Sequence, residues 1–170
     1  MLNPIDTGAV VRDGGVVGRF PGEIHEGVAW WVGACLVAAM RARRIVVAHD
    51  GRATSEAFYR RLCRGAVNAG HLACIVVDLG VAGEATLFRA MQELGSVPGA
   101  LVTTLVGDDG AETVKIALYD GAGHMLGEEA GLARIRRMIA EDRIPIPVNE
   151  HSRGRVEPYP RQAAEEGAAE

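Results

Sequence analysis

The stretch Gly99 to Leu118, GALVTTLVGDDGAETVKIAL, limits most tightly what this chain can fold into. An apolar run, Ala100 to Val102, passes through Thr103 and Thr104 into Leu105 and Val106. The polar turn Gly107-Asp108-Asp109-Gly110 follows, and a second run, Val114 to Leu118, comes back. Two β-rich runs around Gly/Asp punctuation predict strand, loop, strand. The loop is too short for a crossover, so the second strand must be antiparallel to the first. In an α/β protein, the loop at the end of a central strand is where ligands and chemistry gather. This loop offers carboxylate acceptors and no nucleophile.

The preceding segments alternate strand and helix. Val10-Val11 and Val16-Val17 predict two short strands around Arg12-Asp13-Gly14-Gly15. Ile24, Val28, Trp31, Cys35 and Ala38 recur at helical spacing, which predicts a helix from about Pro21-Gly22-Glu23 to Ala42. Adjacent Trp30 and Trp31 point about 100° apart on a helix, so one should enter the core while the other covers a neighbouring element or a subunit interface, with both packed within the domain as the plainer expectation. Ile45 to Ala48 reads as a buried strand, His49-Asp50-Gly51-Arg52 as its loop, and Thr54 or Ser55 as the N-cap of the next helix. That helix turns Phe58, Leu62, Ala66 and Val67 inward and ends at Asn68-Ala69-Gly70. A strand from His71 to Asp78, a helix from Ala85 to Leu94 and a final helix from Glu128 to Glu141 complete the pattern. Three parallel strands joined by right-handed crossovers, plus one antiparallel strand, give a mixed four-stranded sheet with helices on both faces: a three-layer α/β/α fold. Residues 1–144 are expected to form this domain. Residues 145–170 are expected to be a Pro-containing extension whose end, Gln162 to Glu170, is frayed.

Composition removes several functional classes. A net charge of −4 leaves no basic footprint for nucleic acid. Cys35, Cys63 and Cys74 are odd in number and lack C-x-x-C spacing, so neither a disulfide framework nor a zinc site is expected. They read as small core residues in a reducing cytosol, which makes the expected location cytoplasmic. The beginning lacks the basic-then-apolar pattern of a secretory leader, and the longest apolar stretch, Val28 to Met40, is too short for a bilayer.

Several segments, in order and at matching spacing, resemble the first domain of the α-D-phosphohexomutases, the phosphoglucomutases and phosphomannomutases. Val16-Val17-Gly18 resembles the family's opening R-G-v-v-g, and Ile45 to Ser55 (IVVAHDGRATS) resembles V-V-G-R-D-G-R-x-S-S. Arg64 to Gly70 resembles the helical R-G-x-x-x-x-G. The resemblance runs from about Val11 to Met138 and implies the family's α/β/α domain. In the family, T-A-S-H-N-P carries the serine that holds the phosphoryl group, and N-G-f-K follows. Here Thr103, Thr104, Leu105, Val106, Gly107 and Asp108 occupy the first part, and Glu112 to Lys115 the second. Leu105 stands for the serine and Val106 for the histidine, while Lys115, the only lysine, is kept. The family's D-I-R-G is answered by Arg12-Asp13-Gly14-Gly15, which loses its arginine, and its T-P turn by Glu84-Ala85. The family's Mg²⁺ motif D-G-D-x-D-R and its sugar- and phosphate-binding domains have no counterpart in the sequence.

The resemblance therefore implies the fold without the chemistry: a pseudoenzyme, with no catalytic residue and no cofactor, that acts by binding or assembly. Phosphoryl transfer needs an aligned acceptor and cations that neutralise developing charge. The alternatives are a phosphosugar sensor and a subunit completed by another chain. Arg52 and Lys115 are the candidate anion-binding pair. Asp108, Asp109 and Glu112 are weak candidates for a cation, with turn chemistry the plainer explanation. Asp50 and Arg52 are expected to form a structural ion pair, since in the family D-G-R supports the active-site loop. Homodimerisation, or an unknown protein partner, is expected to cover surfaces that further domains would cover, with no role for nucleic acid or membrane.

Overall fold

The computed structural model describes residues 5–69, 73–144 and 150–160. A short helix, α1 (Thr7–Val10), leads into a hairpin of β1 (Val11–Arg12) and β2 (Gly15–Phe20). Asp13 and Gly14 both take positive φ, 53° and 77°, the geometry whose twist matches a two-residue hairpin. The helix α2 (Glu26–Met40) follows, then β3 (Arg44–His49), α3 (Ala53–Val67), β4 (Ile75–Val81), α4 (Glu84–Glu93), β5 (Gly99–Val106) and β6 (Glu112–Tyr119). A single π-helical turn, Glu128–Leu132, is kinked at Gly131 and passes into α5 (Ala133–Ala140). A 3₁₀ turn at Glu150–Ser152 precedes the last strand, β7 (Arg155–Pro158).

The sheet has seven strands in the order β1-β2-β6-β5-β3-β4-β7. β5, β3, β4 and β7 are mutually parallel, while β6, β2 and β1 add antiparallel pairings. The three-layer α/β/α class is as the sequence predicts, but the sheet is wider than four strands. β1, β2 and β7 make the difference. The first two are a short glycine-rich hairpin, and β7 is four residues of mixed polarity, so none carries the long apolar run that marks a buried parallel strand.

Helices cover the sheet unequally. On one face α2, α3 and α5 enclose the larger core, with Phe58, Leu36, Leu62, Ile135 and the strand residues Ile45, Val102, Ile116 and Leu118 fully buried. On the other, α4 alone seats Leu87, Ala90 and Met91 against Val46, Ala48, Leu101 and Ala117. α2 and α3 cross so closely that a Cβ on Gly65 would stand 1.8 Å from the Trp30 carbonyl oxygen, and one on Gly33 would stand 2.1 Å from that of Leu62.

Several boundaries move. α2 begins at Glu26, after the predicted start at Pro21-Gly22-Glu23, because Glu23 and Ile24 donate their N–H groups back to Arg19 in a turn. β4 starts at Ile75 and runs to Val81, through part of the predicted loop; His71 and Leu72 lie outside the described residues. Neither Trp enters the core fully. Trp30 and Trp31 are half-buried, meet edge to face at 5.8 Å and lean on the margin of the larger core. The three cysteines are buried and free, and burial pushes each thiol up to about 12. Residues Gln162 to Glu170 lie outside the described residues, and no helix among the described ones is long and apolar enough to cross a membrane.

Candidate functional site

The loop after β3, the first turn of α3 and the far end of the β5–β6 hairpin meet at the carboxyl ends of the parallel strands. All three buried polar side chains among the described residues, His49, Ser55 and Thr104, lie there. β5 outruns β3: their pairing stops at His49–Val102, while β5 continues to Val106 against β6. The overhang has lost a strand partner on one side, and the β3 loop supplies hydrogen bonds in its place. Asp50 donates its N–H to the Val102 carbonyl (3.1 Å), and its Oδ2 accepts the Thr104 N–H (2.8 Å). Its Oδ1 accepts the Arg52 N–H (3.0 Å). The Ser55 and Thr104 hydroxyls share a buried hydrogen bond of 2.6 Å, and Thr54 Oγ1 donates to Glu112 Oε2 (2.7 Å).

Burial works to raise the Asp50 carboxyl, but the N–H groups of Thr104 and Arg52, with the Ser55 hydroxyl, outweigh it and hold the group below the usual carboxylate range. The charge of Arg52 adds least to this. The expected Asp50–Arg52 ion pair is therefore replaced by an acceptor of backbone N–H groups. Likewise, neither Thr54 nor Ser55 caps α3. The N-cap is Arg52, without a side-chain bond, because both hydroxyls are turned toward the hairpin.

The hairpin itself is regular. Leu105 pairs with Thr113 and Val106 with Glu112, so the position aligned with the family's phosphoryl carrier sits on a paired strand. Gly107 donates its N–H to the Ala111 carbonyl (2.8 Å), and Asp109 Oδ1 accepts the Ala111 N–H (3.0 Å). Leu105 is 68% exposed and Val106 50%. Val81, 69% exposed, borders the same rim at Gly51.

The candidate residues are not gathered into one pocket. Thr103 and Lys115 are paired across the hairpin and project on the face that α4 only partly covers. Arg52 caps α3, which lies on the opposite face. Lys115 forms no ion pair among the described residues. Glu112 is bound to Thr54, Asp109 is spent on the turn, and Asp108 projects from the exposed tip. Among the described residues no three His, Cys, Asp or Glu side chains converge as a metal site would require. What the sequence reading missed is the buried Ser55–Thr104 bond. Its signal was a Thr pair inside an otherwise apolar strand.

Comparison with known proteins agrees with this fold. The family described as phosphoglucomutase/phosphomannomutase, alpha/beta/alpha domain I, matches residues 9–143. The phosphomannomutase of Salmonella typhimurium strain LT2 is 31% identical over 137 residues, covering 81% of this chain and 29% of that protein. A Klebsiella pneumoniae phosphomannomutase is 30% identical over 137 residues, covering 81% of this chain and 83% of that sequence. In fold, the chain superposes on a phosphoglucomutase/phosphomannomutase family protein from Burkholderia thailandensis with a TM-score of 0.69 at 20% identity, over 91% of this chain and 33% of that one. The chain belongs to the phosphoglucomutase/phosphomannomutase family, as its domain I. It spans less than a third of the Salmonella relative's length.

Proposed function

We propose that this domain docks rather than catalyses. The carrying observation is Leu105, a hydrocarbon side chain left 68% exposed at the position where the family resemblance puts the phosphoryl-bearing serine. A C–H surface cannot form a phosphate ester, whatever other domains or chains surround it. Asp108 and Asp109 beside it would repel a phosphate dianion. Exposed Leu105, Val106 and Val81 on one rim are instead the composition of an interaction surface. The three buried thiols fit a reducing compartment, which supports a cytoplasmic setting.

The alternative of a phosphosugar sensor is supported by Lys115, which is half-buried and not ion-paired among the described residues. One experiment with two arms addresses both readings. Incubation with a radiolabelled bisphosphorylated hexose should leave the chain unlabelled, and calorimetry with hexose phosphates should register no heat at millimolar ligand. Stable label on the protein would overturn the docking reading. Saturable heat without label would replace it with the sensor.

A further inference from the structure

We infer that the outer edge of β7 pairs with the same edge of a second copy of this chain, antiparallel and in one register, so that the sheet runs on through both copies. Among the described residues β7 is the last strand on its side of the sheet. Arg155 donates its N–H to the Cys74 carbonyl (3.1 Å) and Tyr159 to that of Asp78 (2.9 Å), so Arg155, Glu157 and Tyr159 turn their backbone groups toward β4. Strand alternation turns the N–H and C=O of Val156 the other way, off the edge. Side chains alternate as well. Val156 is level with Val76, which enters the larger core; it lies on that face and is 47% exposed. Arg155 and Glu157 are level with Ile75 and Val77 on the α4 face, and they are paired with each other. This edge lies three strands from the β5 overhang that carries Leu105, and its pairing holds or fails whichever way that rim is used.

An open strand edge is a template for another strand, and charge or proline on it restricts what can pair there. The charges of β7 stand one residue to either side of Val156 and are opposite in sign. A two-fold axis normal to the sheet, beside Val156, lets the two copies of that residue exchange N–H and C=O in two backbone hydrogen bonds. Arg155 then stands opposite the partner's Glu157, and Glu157 opposite the partner's Arg155. These are the closer, non-hydrogen-bonded kind of pair, about 4.5 Å between Cα atoms. Arg155 reaches its own Glu157 through Nε, and its two Nη groups form no bond among the described residues, so they face outward with a donor to spare. The Val156 side chains meet on the other face. Neighbouring registers fail on the same residues. An axis at Arg155 sets arginine against arginine, and one at Glu157 sets glutamate against glutamate; like charges directly opposite are destabilising. The first also calls on the Gly154 N–H, which the Val67 carbonyl holds, and the second on an N–H that Pro158 lacks. A strand of one charge would satisfy only one of Arg155 and Glu157, whereas the same edge turned about satisfies both.

The test combines sedimentation with amide hydrogen exchange on the full chain, from low micromolar to millimolar concentration. So short an edge makes a weak, reversible dimer. The Arg155 and Glu157 amides should be protected at every concentration, because β4 holds them, while the Val156 amide should gain protection only as the dimer forms. Arg155→Glu and Glu157→Arg should each weaken self-association about tenfold or more, since both cross-strand pairs turn from attraction to repulsion. An equimolar mixture of the two variants should associate as the wild type does, and so should the exchanged double variant Arg155→Glu/Glu157→Arg. Steady protection of the amides at 155 and 157 in each variant shows that β7 is still in place. A wild type that stays monomeric at millimolar concentration, a Val156 amide indifferent to concentration, or a dimer indifferent to the charge reversals would overturn the proposal. So would a mixture no more associated than its components.

Discussion

Asp50 does the work expected of a strand. Where β3 has ended, its carboxylate supplies the acceptor that the Thr104 N–H would otherwise lack, while also closing the turn at Arg52. A buried N–H without a partner is costly, so the carboxylate is tied to the register of the whole overhang. Its pKa is lower folded than unfolded, so its contribution to stability is present above the ordinary value of 3.8 and is lost as the pH falls through the folded value. Urea unfolding at stepped pH should show stability falling below about pH 4. Asp50→Asn should flatten part of that acid limb and cost about 1 kcal/mol at neutral pH, since the group is partly in solvent. An unchanged acid limb would show that Asp50 does not govern it.

The larger elements were legible because their signals are strong. Phe58, Leu62 and Ala66 announced the inner face of α3, and the Gly/Asp turn announced the β5–β6 hairpin, both of which the structure contains. What could not be read are positions where tertiary partners redirect a local preference. Thr54 and Ser55 are good caps by propensity, but Glu112 and Thr104, distant in sequence, claim their hydroxyls. β7 was hidden because Arg155 and Glu157 break its apolar character. The close crossing of α2 and α3 was equally invisible, since glycine within a helix usually reads as weakness. Gly65→Ala should gain nearly 1 kcal/mol in helix propensity, yet the collision with the Trp30 carbonyl should produce a net loss of about 2 kcal/mol or more. Chemical denaturation decides the sign, and a stabilised variant would show that the helices can move apart freely.

For the molecule as a whole, β7, which follows α5 in the chain, is an integral part of the sheet. β7 lies parallel to β4 from Arg155–Ile75 to Pro158–Asp78, and it is fastened at both ends. Gly154 donates its N–H to the Val67 carbonyl (2.8 Å), and Tyr159 donates its own to that of Asp78 (2.9 Å). Removing residues 150–170 would turn β4 into an open edge. Amide hydrogen exchange should then quicken along Ile75 to Val81 while Ile45, Val46 and Val47 in β3 stay protected. Unchanged protection in β4 would mean that β7 contributes nothing to holding it.

The order of the strands has a mechanical consequence. β1 and β7 occupy opposite margins of a seven-strand sheet, so its two edges stand roughly 30 Å apart across the ladder. Tension drawn between those margins would run at right angles to the strands, opening hydrogen bonds one after another as a zip rather than shearing a row together. The domain should therefore yield gently when stretched from those two margins.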